Sequence, residues 1–156
     1  MNDNEEQLRA AARKHMKVIF DLDGTLADIG HRTHFLNRDK KDWRAFYAAC
    51  DQDRPIYQVI RVLQSLSVTG ADVQIWTGRS GEVSDKTQKW LAENGMGDIP
   101  IKMREEGDHR PDTVVKEEWL LQESRAPSLV FEDRASVVAM WRSHGIVCCQ
   151  VDEGNF

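Results

Sequence analysis

The sequence predicts an α/β fold: a parallel sheet with helices on both faces and a small insertion after the first strand. Three observations lead there. Short apolar runs alternate with helical patterns along the chain, which is the signature of successive βαβ units. The residues with the most chemistry, Asp21 and Asp23, Thr77, and Glu132 with Asp133, stand at the exits of different apolar runs. Open α/β sheets bind ligands at that end. The length of 156 residues suits one domain with a substantial core. Composition is that of an ordinary globular protein, 40% hydrophobic and 30% charged. A net charge of −5 argues against broad, non-specific nucleic-acid binding by a basic face, while leaving room for a small basic pocket.

Residues 1–16 form a polar N-terminal extension, expected as a loose helix or disordered chain and unlike a signal peptide. Residues 17–21 are the first strand, an apolar run closed by Gly24 and Thr25. Residues 28–54 form an insertion over that strand's carboxyl end. Trp43, Phe46, Tyr47 and Cys50 have helical spacing within it. Pro55 is expected to open a helix carrying Ile56, Val59, Ile60, Leu63 and Leu66. Residues 72–76 are the second strand, and Val83, Thr87, Trp90 and Leu91 mark the next helix, stopped at Asn94-Gly95. A short strand at 99–103 and a charged loop at 104–110 follow. A helix then runs from Pro111 to about Glu123, with Asp112 expected as its N-cap. A strand at 128–131, a helix at 135–143 and a last strand at 146–151 complete the chain. Cys50, Cys148 and Cys149 suggest neither a disulfide framework nor a zinc site, and read as buried thiols in a reducing cytoplasm. No apolar stretch is long enough to cross a membrane.

Asp21 and Asp23 are alternate residues, so they project together from the strand end. Two carboxylates there repel unless a positive charge joins them, and Mg²⁺ suits oxygen ligands and phosphate. Asp21 has the chemistry of a nucleophile toward phosphorus, forming an aspartyl-phosphate. Asp23 is placed to serve as acid to the leaving oxygen and then as base for water. Gly24 lets the backbone approach the ion and the phosphoryl group. Thr77, with the N–H groups near Gly78, suits phosphate oxygens; Lys116 supplies a neutralising charge and Asp133 completes the metal site. Each residue alone has a plainer reading: a calcium loop, a turn, a solvated lysine, an N-cap. The calcium reading fails because Leu26, Ala27, Ile29 and His31 stand where further acidic ligands would be needed. His31, Arg32 and His34, just beyond the catalytic loop, read equally as nucleotide contacts or as ordinary polar surface. Trp43, Phe46 and Tyr47 read as core of the insertion, with a base-stacking platform as the alternative.

The run Phe20-Asp21-Leu22-Asp23-Gly24-Thr25-Leu26 resembles the first motif of the haloacid dehalogenase (HAD) superfamily. Thr77, Lys116 and Glu132-Asp133 stand where its other motifs are expected. The resemblance implies a Rossmann-like domain over 17–156, Mg²⁺, and Asp21 as nucleophile. It further implies Asp23 as acid/base and Asp133 as metal ligand, with the Asp23 main-chain carbonyl also on the metal. The segments 104–108, 112–118, 132–142 and 150–156 are similar to the 3′-phosphatase domain of polynucleotide kinase–phosphatases of phage. By that resemblance Arg79 and Arg104 are further phosphate or substrate contacts.

Glu132 departs from the more usual Asp, and its longer arm is expected to reach the metal through water. Residues 28–54 depart from the phage pattern, and an insertion there is the substrate-selecting cap in HAD phosphatases. No Gly-x-x-x-x-Gly-Lys-Ser/Thr occurs, so no kinase activity is expected of this chain. The expected function is removal of 3′-phosphates from polynucleotide ends. A nucleoside monophosphatase is the alternative, and a catalytically dead HAD binding module is the reading from another class.

Overall fold

The structure, a computed structural model, describes residues 3–14 and 16–154. Expectations for residues 1, 2 and 15, and for Asn155 and Phe156 of the C-terminal similarity, lie outside the described residues.

Strand β1 (Lys17–Phe20) is buried along its whole length. Its side chains alternate across the sheet, so Val18 and Phe20 face one layer and Ile19 the other. Burial on both faces fits its place as the central strand. β1 pairs in parallel with β4 (Asp72–Ser80) on one side and β6 (Leu129–Arg134) on the other. β5 (Ile101–Arg104) and β7 (Val147–Gly154) are the edges, giving the order β5-β4-β1-β6-β7. All four pairings are parallel. Helices α3 (Tyr57–Val68) and α4 (Ser84–Glu93) cover one face through Ile60, Leu63, Trp90 and Leu91. Helices α5 (Asp112–Gln122) and α6 (Ala135–Ser143) cover the other through Leu120, Val137, Val138 and Trp141. Each fully buried aliphatic side chain of these layers contributes about 2 kcal/mol. The fold is the Rossmann-like α/β sheet expected from the sequence. Among the described residues no helix is long and apolar enough to cross a membrane.

Helix α1 (Asp3–Lys14) precedes the sheet, and its side chains over 3–11 are exposed. Residues 28–54 lie outside the sheet, as expected of an insertion. A 3₁₀ turn (Gly30–Phe35), helix α2 (Trp43–Ala48) and a second 3₁₀ turn (Cys50–Gln52) pack around Ile29, Leu36 and Phe46. Strands β2 (Ala27–Asp28) and β3 (Arg54–Pro55) pair antiparallel and close the segment at its base.

The structure corrects four local expectations. Helix α3 begins at Tyr57 rather than Pro55, because Pro55 is extended in the β2–β3 ladder and Ile56 N–H donates to Leu26 O at 2.8 Å. Strand β4 runs on to Ser80 through a register shift between Thr77 and Ser80. Asp112 is the first residue of α5, not its N-cap: Pro111 holds that position, and the Asp112 carboxylate is taken by Arg104 and Arg134. Cys50 and Cys148 are buried free thiols, but Cys149 is exposed, because adjacent residues of edge strand β7 face opposite ways.

Candidate active site

Three strand ends and one helix converge on a buried charge cluster. Asp21 follows β1, Glu132 and Asp133 close β6, and Lys116 comes from α5, one turn after Pro111 breaks the preceding loop. Lys116 Nζ donates to Asp21 Oδ1 at 2.6 Å and to Glu132 Oε2 at 2.8 Å. All four side chains are buried. Burial works against the Lys116 charge, yet Asp21 and Glu132 outweigh it and hold the ammonium above its ordinary range. Burial, then repulsion from Glu132, pushes the Asp21 carboxyl well above the usual range, with Lys116 pulling the other way. The same two causes raise Asp133 to about 7.

Three carboxylates and one ammonium so arranged leave one piece unfinished. The Glu132 Oε1 atom accepts from the Asp133 and Arg134 backbone N–H groups, both at 3.2 Å. Asp133 Oδ1 is buried and has no hydrogen-bond partner among the described residues. Carboxylate oxygens of Asp21, Glu132 and Asp133 lie within 4.8 Å of one another. Gly24 keeps the space beside Asp133 open: its φ is +86°, and a Cβ there would meet Asp133 Oδ2 at 2.1 Å. A buried, unpartnered carboxylate oxygen among hard oxygen donors fits a divalent cation such as Mg²⁺.

Asp23 stands beside this cluster in a different field. Its Oδ1 accepts from Arg79 Nε at 2.8 Å and from Arg32 at 2.7 Å. Burial favours its neutral form, but Arg79 and Arg32 together hold its pKa below the ordinary value. The sequence leaves Arg32 open between a nucleotide contact and polar surface, and the resemblance makes Arg79 a phosphate or substrate contact. In the structure both are fully buried, and their guanidinium groups face Asp23 and Asp53. Arg32 is therefore not ordinary polar surface. His31, which is exposed, turns Nε2 to Asp53 Oδ1 at 2.8 Å, and His34 Nδ1 meets His31 O at 3.0 Å.

Asp53 is the residue that the sequence reading missed. Its carboxylate is fully buried and accepts from His31, from Arg32 at 2.7 and 2.6 Å, and from Arg79 at 2.6 Å. Nothing in the sequence separates it from Asp51, two positions earlier, which is exposed. Asp53→Asn is expected to lower stability by about 3 kcal/mol, because two buried guanidinium groups lose a shared counter-charge. Urea unfolding measures this; an unchanged midpoint would show that Asp53 does not hold the pair.

Of the remaining predicted residues, Gly78 and Arg104 line a cavity of about 940 Å³ that also takes in Asp21 and Asp23. Gly78 lines it, and its carbonyl accepts from Arg104 Nε at 2.9 Å and from the Tyr47 hydroxyl at 3.2 Å. Arg104 also lines the wall, but its donors serve Gly78 O, the Asp108 and Arg110 carbonyls and the Asp112 carboxylate. Thr77 is fully buried beneath, its Oγ1 accepting from Arg79 N–H at 3.2 Å. Asp112 links Arg104 and Arg134 across the cavity's edge.

A parallel Rossmann-like sheet carrying an Asp-x-Asp pair, a buried lysine and a terminal acidic pair at one edge defines a HAD phosphatase. Within that class, the chain belongs to the family described as "Polynucleotide kinase PNKP phosphatase domain", whose model matches residues 15–156. A chain in a structure of the Pnkp1/Rnl/Hen1 complex is 32% identical over 90% of this chain, with a TM-score of 0.73. A second structure, of the Pnkp1/Rnl/Hen1 RNA repair complex, gives 31% identity over 90% of this chain and a TM-score of 0.74. The present chain spans 47% and 44% of those two chains. The class C acid phosphatase of Bacillus anthracis, at 16% identity, a TM-score of 0.66, and 98% and 74% coverage of the two chains, shares the fold.

Proposed function

We propose that this chain is a Mg²⁺-dependent phosphomonoesterase that works through an aspartyl-phosphate on Asp21 and removes 3′-phosphates from polynucleotide ends. The observation that carries the mechanism is the Lys116 ammonium seated between Asp21 and Glu132 next to an unpartnered Asp133 oxygen. Asp21, Asp133 and the Asp23 main-chain carbonyl would hold the cation, with Glu132 beside them, and it would supply positive charge to the phosphoryl oxygens.

The free Asp21 oxygen attacks phosphorus, and the bond to the leaving oxygen breaks. Lys116 neutralises charge on the nucleophile and on the phosphoryl group. Asp23 is held ionised in the free site, so the proton it passes to the leaving oxygen arrives with the monoanionic form of the ester. In the second half Asp23 takes a proton from water, the water oxygen bonds to phosphorus, and the P–O bond to Asp21 breaks, releasing phosphate. Residues 28–54 act as a cap, with Arg32 and Asp53 joining it to the acid/base residue.

Similarity to chains of an RNA repair complex supports a nucleic-acid end as substrate. The free thiols fit a reducing cytoplasm. The net charge of −5 favours the second reading, a nucleoside monophosphatase, over binding of a long polyanion. Phosphate release, with Mg²⁺, from a 3′-phosphorylated oligonucleotide and from the matching mononucleotides separates the two. Preference for the oligonucleotide is expected; release from mononucleotides alone would establish the alternative.

Mg²⁺ is also expected to stabilise the protein in a pH-dependent way. Asp133 titrates at about 7 in the folded chain and at about 3.9 when unfolded. A raised carboxyl pKa gives stability that is complete below about pH 4 and is lost as pH rises through about 7. The cation binds the ionised form and offsets that loss. Melting curves with and without Mg²⁺ should therefore differ more at about pH 8 than at about pH 5. An equal shift at both would remove Asp133 from the metal site.

A further inference from the structure

The cavity is far larger than a phosphate group needs, and one of its walls is aromatic. Trp43, Phe46 and Tyr47 all line it. The three do different things. Phe46 is 1% exposed and anchors the small cluster with Ile29 and Leu36. Trp43 is 40% exposed, too open for a core residue. Tyr47, one turn along α2, lies in register with it: the rings are 5.9 Å apart and 28° from parallel. Phe46 backs both edge-on, at 5.8 Å from Trp43 and 5.6 Å from Tyr47.

This aromatic face is tied to the catalytic floor at two points. The Tyr47 hydroxyl donates to Gly78 O, in the irregular end of β4 just after Thr77. The Arg32 guanidinium, which holds Asp23, lies 4.1 Å over the Phe46 ring and donates to Phe46 O at 3.2 Å. A group seated against Trp43 is thereby held at a set position relative to Asp21 and Asp23. Arg44, exposed next to Trp43, also lines the cavity and offers a cation for a neighbouring phosphodiester. Flat aromatic faces accept any base, because every base has a π-face.

Resting on the phosphatase reading above, we propose that Trp43 and Tyr47 form the stacking platform for the nucleobase of the terminal nucleotide, whose phosphate is presented to Asp21. The platform reads the presence of a base rather than its identity. The rigid link through Gly78 and Arg32 converts that stacking into correct placement of the phosphorus.

The test uses two oligonucleotides of equal length with 3′-phosphates, one ending in a normal nucleotide and one in an abasic tetrahydrofuran residue. The wild-type protein should show a KM about 10-fold higher for the abasic end. Trp43→Ala should lose that preference and give the two ends similar KM values, and Trp43→Phe should restore most of it. Circular dichroism of each variant checks that α2 persists. Equal KM values for both ends with the wild-type protein, or a Trp43→Ala variant that keeps the full preference, would overturn the platform while leaving the phosphatase reading intact. Release of phosphate from neither oligonucleotide would overturn that reading and the platform with it.

Discussion

Asp21→Asn is expected to abolish phosphate release while leaving the fold intact. The substitution keeps the shape of the side chain and one acceptor for Lys116, but an amide oxygen does not form the phospho-enzyme. The expected loss is on the order of 10⁴-fold or more, the scale seen when the nucleophile of a covalent mechanism is removed. Stability should move the other way. Burial and Glu132 already push the Asp21 carboxyl toward its neutral form, so a neutral amide relieves repulsion within the acidic cluster. A melting temperature equal to or above that of the wild-type protein, with no turnover, is the predicted pair of results. Near wild-type turnover would show that Asp21 is not the nucleophile.

Lys116→Ala should also be damaging to catalysis, though less so than Asp21→Asn, and, unlike that variant, damaging to the fold. Its ammonium is the cation that bridges Asp21 and Glu132 at 2.6 and 2.8 Å. A preorganised charge of this kind contributes about 3 kcal/mol to transition-state stabilisation, or roughly 10²-fold in kcat. Its removal leaves two buried carboxylates facing each other, a defect that costs about 3–5 kcal/mol where both stay ionised. Protonation lessens that cost, so the variant should be destabilised more at about pH 8 than at about pH 5. Specific activity per folded molecule distinguishes catalytic from purely structural loss. Normal specific activity with a lowered melting temperature would make Lys116 a structural residue only.

Much of this was legible in the sequence because it is local. Asp21 and Asp23 are two positions apart on one strand end, so strand geometry alone puts them side by side. Glu132 and Asp133 close another apolar run, and parallel pairing of β1 with β6 brings them next to Asp21. Lys116 needed only the helix that Pro111 starts. The sheet itself follows from the alternation of apolar runs and helical stripes.

What the tertiary structure decided is pairing across distance. Arg32, Asp53 and Arg79 are 9 to 56 residues from the carboxylates and guanidinium groups they hold, and no periodicity links them. Their side chains meet because β2 and β3 close the 28–54 segment back over the strand end, where a buried carboxylate and two guanidinium groups must satisfy one another. Folding likewise took Asp112 from an N-cap role to ion pairs with Arg104 at the end of β5 and Arg134 at the end of β6. It also divided three aromatics of one helix between a buried anchor and an open face. Local sequence determines where chemistry emerges from this sheet. Which charges neutralise which, and which aromatics meet a ligand, is set by desolvation, and desolvation exists only once the chain has folded.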